Sequence, residues 1–134
     1  VKWYTEYLGK PYVFRSRSKD AFDCYGLVML AYKKVLNEVP PDYLHLLGNH
    51  RSIQPLEFNL CFESTETRSY WAVVEDPKPM DLVIVSKYGF PVHCGILIDN
   101  MNILHTTERL SCCVARTDSV YWKNRIDKYL RPRV

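Results

Sequence analysis

The chain has 134 residues, of which 47% are hydrophobic and 25% charged, with a formal net charge of +3. That length can bury a core without disulfide staples, and the expected organisation is a single domain over 1–134. So mild a positive charge fits an acidic substrate and argues against a nucleic-acid partner. The longest apolar run near Cys24 is Leu27 to Ala31. This is far short of the roughly 20 residues of a membrane span, so no span is expected.

The N-terminal "VKWYTEYLGKPY" has no apolar signal core. Trp3, Tyr7 and Leu8 have helical spacing that Gly9 ends. "GKPYVF" is an extended or turning link, because Pro11 disfavours helix before it. "RSRSKD" reads as a basic polar loop. A helix is expected from Cys24 to about Val35, with Leu27, Leu30, Ala31 and Val35 on one apolar face. Lys33, Lys34 and Asn37 suit its C-terminal end, and "VPPDY" stops it. Residues 43 to 79 read as irregular, with short helical pieces.

Three strand signals follow, "DLVIVS", "VHCGILI" and "NILHTT", joined by short turn-rich links that favour antiparallel hairpins. "SCCVAR" and "DKYLRP" add strands, with "SVYWKNR" a turn or short helix between them. Helices first and then a meander of strands is an α+β pattern.

Five cysteines are present: Cys24, Cys61, Cys94, Cys112 and Cys113. Without an export signal they read as reduced thiols, not a disulfide framework. There is no CxxC pair, and His45 and His50 have no cysteine near them in sequence. No metal and no cofactor is therefore expected.

Asp23 is a good N-cap, since its carboxylate can accept a first-turn N–H. That puts Cys24 at the first helical position, where unpaired N–H groups and the helix dipole favour a thiolate. The alternative is a small buried hydrophobe, the usual fate of a free cysteine. His93 and His105 lie equally far from Asp99. A hairpin symmetric about Asp99 would set the two imidazoles opposite each other, whereas a one-residue slip would part them. One cysteine at a helix start with two histidines on a hairpin supplies a nucleophile, a base and an orienting group.

With these residues in place, the sequence resembles the NlpC-type cysteine peptidases, papain-like enzymes that cut the peptide stems of bacterial cell wall. "PYVF" with Tyr12, twelve residues before Cys24, is similar to the family's tyrosine segment. "DCYGLV" resembles its Asp-Cys-x-Gly-hydrophobic block. "PMDLVIV" resembles its Pro-Gly-Asp-hydrophobic strand. "VHCGILID" and "ILHTT" resemble its two histidine-region strands, with His105 at the polar position. "AFDCYGLV", a helix, then "PPDY" is most similar to the branch found in tailed bacteriophages. Three departures stand out: Arg15 and Ser16 where the family often has glycines, Met80 for the glycine before Asp81, and Cys94 where an apolar residue is usual.

The resemblance implies a papain-like fold with N-terminal helices packed on a central antiparallel sheet. It implies Cys24 as nucleophile, His93 as general base and acid, and His105 as the group orienting His93. Tyr12 becomes a second oxyanion donor or a substrate contact, or else an aromatic that fills a gap; Asp23 stays a structural cap. Arg15, Arg17 and Lys19 either pair with stem carboxylates or form a solvated basic loop. The implied partners are peptidoglycan, cut between D-glutamate and a diamino acid, and other phage tail proteins. The implied location is the virion tail, acting at the host wall. A catalytically silent tail protein of the same fold is the alternative.

Overall fold

The computed structural model describes residues 2–47 and 55–133. The part of the irregular 43–79 stretch between 48 and 54 lies outside the described residues. A 3-10 turn over Thr5–Tyr7, not an α-helix, opens the chain. "RSRSKD" turns back on itself as a two-residue hairpin, β1 (Arg17–Ser18) and β2 (Ala21–Phe22). Then come α1 (Cys24–Leu36), α2 (Pro55–Glu63), α3 (Thr65–Tyr70) and β3 (Trp71–Val74). The two short helices fit the sequence reading; the strand β3 does not, because a single four-residue strand leaves little periodicity to read.

The meander follows as β4 (Leu82–Lys87), β5 (Phe90–Leu97), β6 (Asn102–Thr107) and β7 (Ser111–Arg116). The short helix α4 (Val120–Lys123) and β8 (Ile126–Pro132) complete it. The strands form one antiparallel sheet in the order β3-β8-β4-β5-β6-β7. The fold is α+β. A half-buried ion pair ties β8 to the start of β4: Arg131 donates Nε and Nη2 to the two carboxylate oxygens of Asp81, each at 2.7 Å.

Two apolar clusters sit on the two faces of the sheet. The larger packs α1 against Leu82, Ile84, Cys94, Ile96 and Leu104. The smaller gathers Val83, Val85, Leu97, Ile103 and Trp122. The buried stripe of α1 is Cys24, Leu27, Val28, Ala31 and Tyr32. It is rotated from the expected one, and Val35 is exposed. The buried Tyr32, whose hydroxyl donates to the Met80 carbonyl, draws that side of the helix inward. The consequence is that Cys24 begins the buried stripe.

The β5–β6 hairpin is centred on Asn100, not Asp99: Ile96 pairs with Leu104, and Leu97 with Ile103. Asp99 causes the shift, because its carboxylate accepts from the Met101 N–H and the Asn102 Nδ2 and so tightens the turn behind it. The change moves the pairing by two residues, so face is preserved and both histidines remain on one side.

Candidate active site

α1 starts where it does because Asp23 caps it. Asp23 Oδ1 accepts the Gly26 N–H at 2.6 Å, and Oδ2 accepts the Arg15 N–H at 2.8 Å. A Cβ on Gly26 would come within 2.5 Å of the Ser16 carbonyl oxygen, so the close approach of this loop requires glycine. Burial, then the nearby Cys24 sulfur, raise the Asp23 carboxyl to about 6, against Arg17 and the two backbone N–H groups.

Cys24 is buried at the first position of α1. The Cys94 thiol and then the His93 imidazole lower its pKa well below the ordinary thiol range, overcoming the opposing effect of burial. The Cys94 thiol itself is pushed up by burial and by its neighbour Cys24. So Cys94 stays protonated as a donor and Cys24 takes the thiolate.

His93 reaches this sulfur through two features of the sheet. A bulge at Val92, immediately before it, shifts the β4–β5 register between Val85–His93 and Ser86–Pro91 and re-aims the strand. The β5–β6 ladder also ends at Ile96–Leu104, so the strands are unpaired where the imidazoles lie. Gly95 packs closely under β6 beside His105. A Cβ there would fall 2.6 Å from Ile103 Cγ2 and 3.2 Å from His105 Cβ.

His93 Nε2 is 3.2 Å from His105 Nδ1. That leaves His93 Nδ1 for the sulfur. Trp122 from α4 covers both imidazoles, its ring centroid 5.6 Å from that of His93 and 4.9 Å from that of His105. Burial, then the charge of His93, lower His105 to about 4, so it is neutral at pH 7. The structure thus brings Cys24, His93 and His105 into one line.

Tyr12 lines the same small cavity as Cys24, held by a bridge between its backbone and Phe22. Burial, then the negative charge of Cys24, push its phenol up, so it remains a hydrogen-bond donor. With Arg17, Tyr25, Tyr43 and Phe58 it lines a small cavity beside Cys24.

The two arginines are turned inward. Arg15 Nη1 donates to the carbonyls of Leu44 and Leu47, at 3.2 and 3.0 Å. Arg17 lies 3.5 Å from Asp23 Oδ1 and donates to the Asp42 carbonyl, while its Nε and Nη2 are buried without a hydrogen-bond partner. Lys19 is exposed at the hairpin turn, away from the cavity. Among the described residues no cluster of three His, Cys, Asp or Glu side chains is placed to hold a metal ion.

The NlpC/P60 family model matches residues 9–131, which take in every site residue above. The chain belongs to the NlpC/P60 family. Solved structures with NlpC/P60 domains share the fold. The NlpC/p60 domain of the peptidoglycan hydrolase SagA aligns over 95% of this chain and 91% of its own, with 18% identity and a TM-score of 0.63. A lipoprotein-like NLP/P60 protein of Staphylococcus aureus aligns over 93% of this chain and 37% of its own, at 21% identity and TM-score 0.61. NlpC2 of Trichomonas vaginalis aligns over 95% and 43%, at 18% and 0.57. This chain therefore spans less than half of those last two. No curated protein matches it.

At two positions where the sequence reading set this chain apart from family glycines, side chains stand in strained backbone. Arg15 has φ 70° and Met80 φ 78°, both in the left-handed region that glycine enters without cost. Sequence reasoning did not reach three residues of the site. Cys94 was legible only as a departure from an apolar position. Trp122 lay in a segment read as a turn or short helix, and Cys113 in a strand whose partner was unassigned. Alternation on that strand was the available signal for Cys113; nothing local marks Trp122.

Proposed function

We propose that this NlpC/P60 chain is a cysteine peptidase that hydrolyses the peptide stems of bacterial peptidoglycan. The observation that carries the reading is the buried Cys24 at the start of α1, with the hydrogen-bonded His93–His105 pair beside its sulfur. A thiolate so placed is an activated nucleophile.

In this reading Cys24 Sγ attacks the carbonyl carbon of the stem amide. The oxyanion that forms is met by the Cys24 N–H, which has no partner within the helix, and by the Tyr12 hydroxyl. His93 gives its proton to the leaving amine as the C–N bond breaks, leaving a thioester. His93 then takes a proton from water as that water attacks the thioester; the C–S bond breaks to restore the Cys24 thiolate beside protonated His93, and the product leaves as the carboxylic acid, which gives its proton to solvent. His105 holds the His93 ring through the Nδ1–Nε2 contact. Asp23 acts through the helix cap.

The scissile bond in this proposal joins D-glutamate to the diamino acid. Arg17 is the better placed of the two arginines to meet a stem carboxylate, since it lines the cavity beside Cys24 and its Nη2 has no hydrogen-bond partner. Arg15 serves as a clamp on the loop. The resemblance of "AFDCYGLV" and "PPDY" to tailed-phage members supports a further reading: a virion tail component, assembled with other tail proteins, that opens the host wall.

Digestion of purified peptidoglycan by the wild type and Cys24→Ala, with products identified by mass, tests the proposal. It expects new stem fragments from the wild type alone, ending at D-glutamate. Wild type and variant with identical products would point to the silent structural protein of the same fold.

A further inference from the structure

Cys113 has no part in the reaction above, yet it stands directly across from His105 on β7. Its sulfur is 3.5 Å from His105 Nε2, and the other ring nitrogen, Nδ1, is 3.2 Å from His93 Nε2. We infer that Cys113 is a positioning residue: its sulfur accepts the Nε2–H of His105 and so fixes the tautomer in which Nδ1 can accept from His93. The inference rests on reading Cys24 and His93 as the working pair.

The proton count leaves one arrangement. When Cys24 is a thiolate and His93 an imidazolium, both nitrogens of His93 carry protons. One points at the sulfur and the other, on Nε2, at His105 Nδ1. That Nδ1 must then be a bare lone pair. His105 is neutral at pH 7, being held near 4, so its single proton is on Nε2. A buried N–H with no acceptor is costly, and would drive the proton toward Nδ1, where it would face the His93 proton.

Among the described residues, Cys113 Sγ is the acceptor found at Nε2. Trp122 presents only its ring to His105 and has a donor but no acceptor on its indole. Cys113 is half-buried and its thiol is pushed up by burial. It stays neutral, so no second negative charge competes with the Cys24 thiolate.

The test uses the whole chain labelled with 15N-histidine. Two-bond 1H–15N spectra at pH 7 report which nitrogen of each imidazole bears the proton. Three proteins are compared: wild type, Cys113→Val and Cys113→Ser. Valine suits an outer strand and fills the space but cannot accept; serine keeps an acceptor. The wild type should show His105 protonated on Nε2. Cys113→Val should move part of the population to Nδ1–H and lower kcat/KM on a purified muropeptide about three- to ten-fold, the loss of one ordinary hydrogen bond. Cys113→Ser should keep Nε2–H and most of the rate.

An Nδ1–H tautomer in the wild type overturns the inference, and so does an unchanged tautomer in a folded Cys113→Val. If the valine variant does not fold, the wild-type spectrum still decides. Tautomers as expected in a protein that cleaves no muropeptide would uphold the hydrogen bond and sink the peptidase reading instead.

Discussion

Replacing His105 by glutamine should change how stability depends on pH, and in a window set by the site itself. His105 is lowered from 6.5 to about 4 by burial and by His93. A base with a depressed folded pKa leaves the folded state short of a proton that the unfolded chain binds. Its contribution is present above the unfolded value and is lost as pH falls from 6.5 toward 4. The displacement corresponds to about 3 kcal/mol.

Asp23 works in the opposite sense. Its carboxyl is raised from 3.8 to about 6, so its contribution is present below 3.8 and is lost as pH rises through 6. The two slopes oppose each other in the wild type. In His105→Gln only the Asp23 slope remains of the pair, and the groups common to both proteins cancel in the comparison.

Urea unfolding at half-unit steps from pH 4 to 7 gives the difference in stability between the two proteins. That difference should grow by about 3 kcal/mol in favour of the wild type as pH rises across the window. A difference constant from pH 4 to 7 would show that the imidazole is not held neutral, and the proton arrangement assigned to His93, His105 and Cys113 would fail with it.

Gly95→Ala should destabilise the chain by about 1–3 kcal/mol through overpacking against Ile103 and His105, and should cut activity by more than the lost stability accounts for, measured by urea midpoint and muropeptide turnover. His93→Ala should lose nearly as much activity as Cys24→Ala, because the two act as a unit, while His105→Gln keeps more; the reverse order would exchange the two histidine roles. Arg17→Ala should weaken kcat/KM on normal stem peptides more than on amidated ones. Arg15→Gly should lose equally on both, since it removes the clamp on Leu44 and Leu47 but no substrate contact.

Much of the fold could be read because its signals are local. Strands β6 and β7 were legible to the residue from apolar periodicity, and α1 from its Asp cap and the prolines after it. Other features depend on what arrives from elsewhere. The face of α1 is set by Tyr32 reaching Met80, forty-eight residues on. The β5–β6 register is set by the Asp99 side chain rather than by symmetry of the apolar pattern. The histidines still meet because a two-residue displacement keeps face, and Gly95 lets β5 pack closely under β6 beside His105. The arginine loop was misleading for a related reason. Charge in sequence suggests solvent, whereas Arg15 and Arg17 find carbonyl and carboxylate partners supplied by residues 23 to 47. Trp122 covers the imidazole pair only because β7 and β8 bring α4 back across the sheet.

The activated thiol is the centre of the account, and competitive alkylation tests it most directly. The folded protein is treated briefly with iodoacetamide at pH 6 and at pH 8, and each cysteine is followed by peptide mapping. Cys24 should be modified first at both values, with its lead greatest at pH 6, where Cys61 and Cys112, raised to about 12 by burial, and Cys94, raised by burial and by Cys24, carry almost no thiolate. In His93→Ala that lead at pH 6 should shrink. Uniform labelling of the five cysteines, or Cys24 labelled last at both values, would contradict an activated nucleophile.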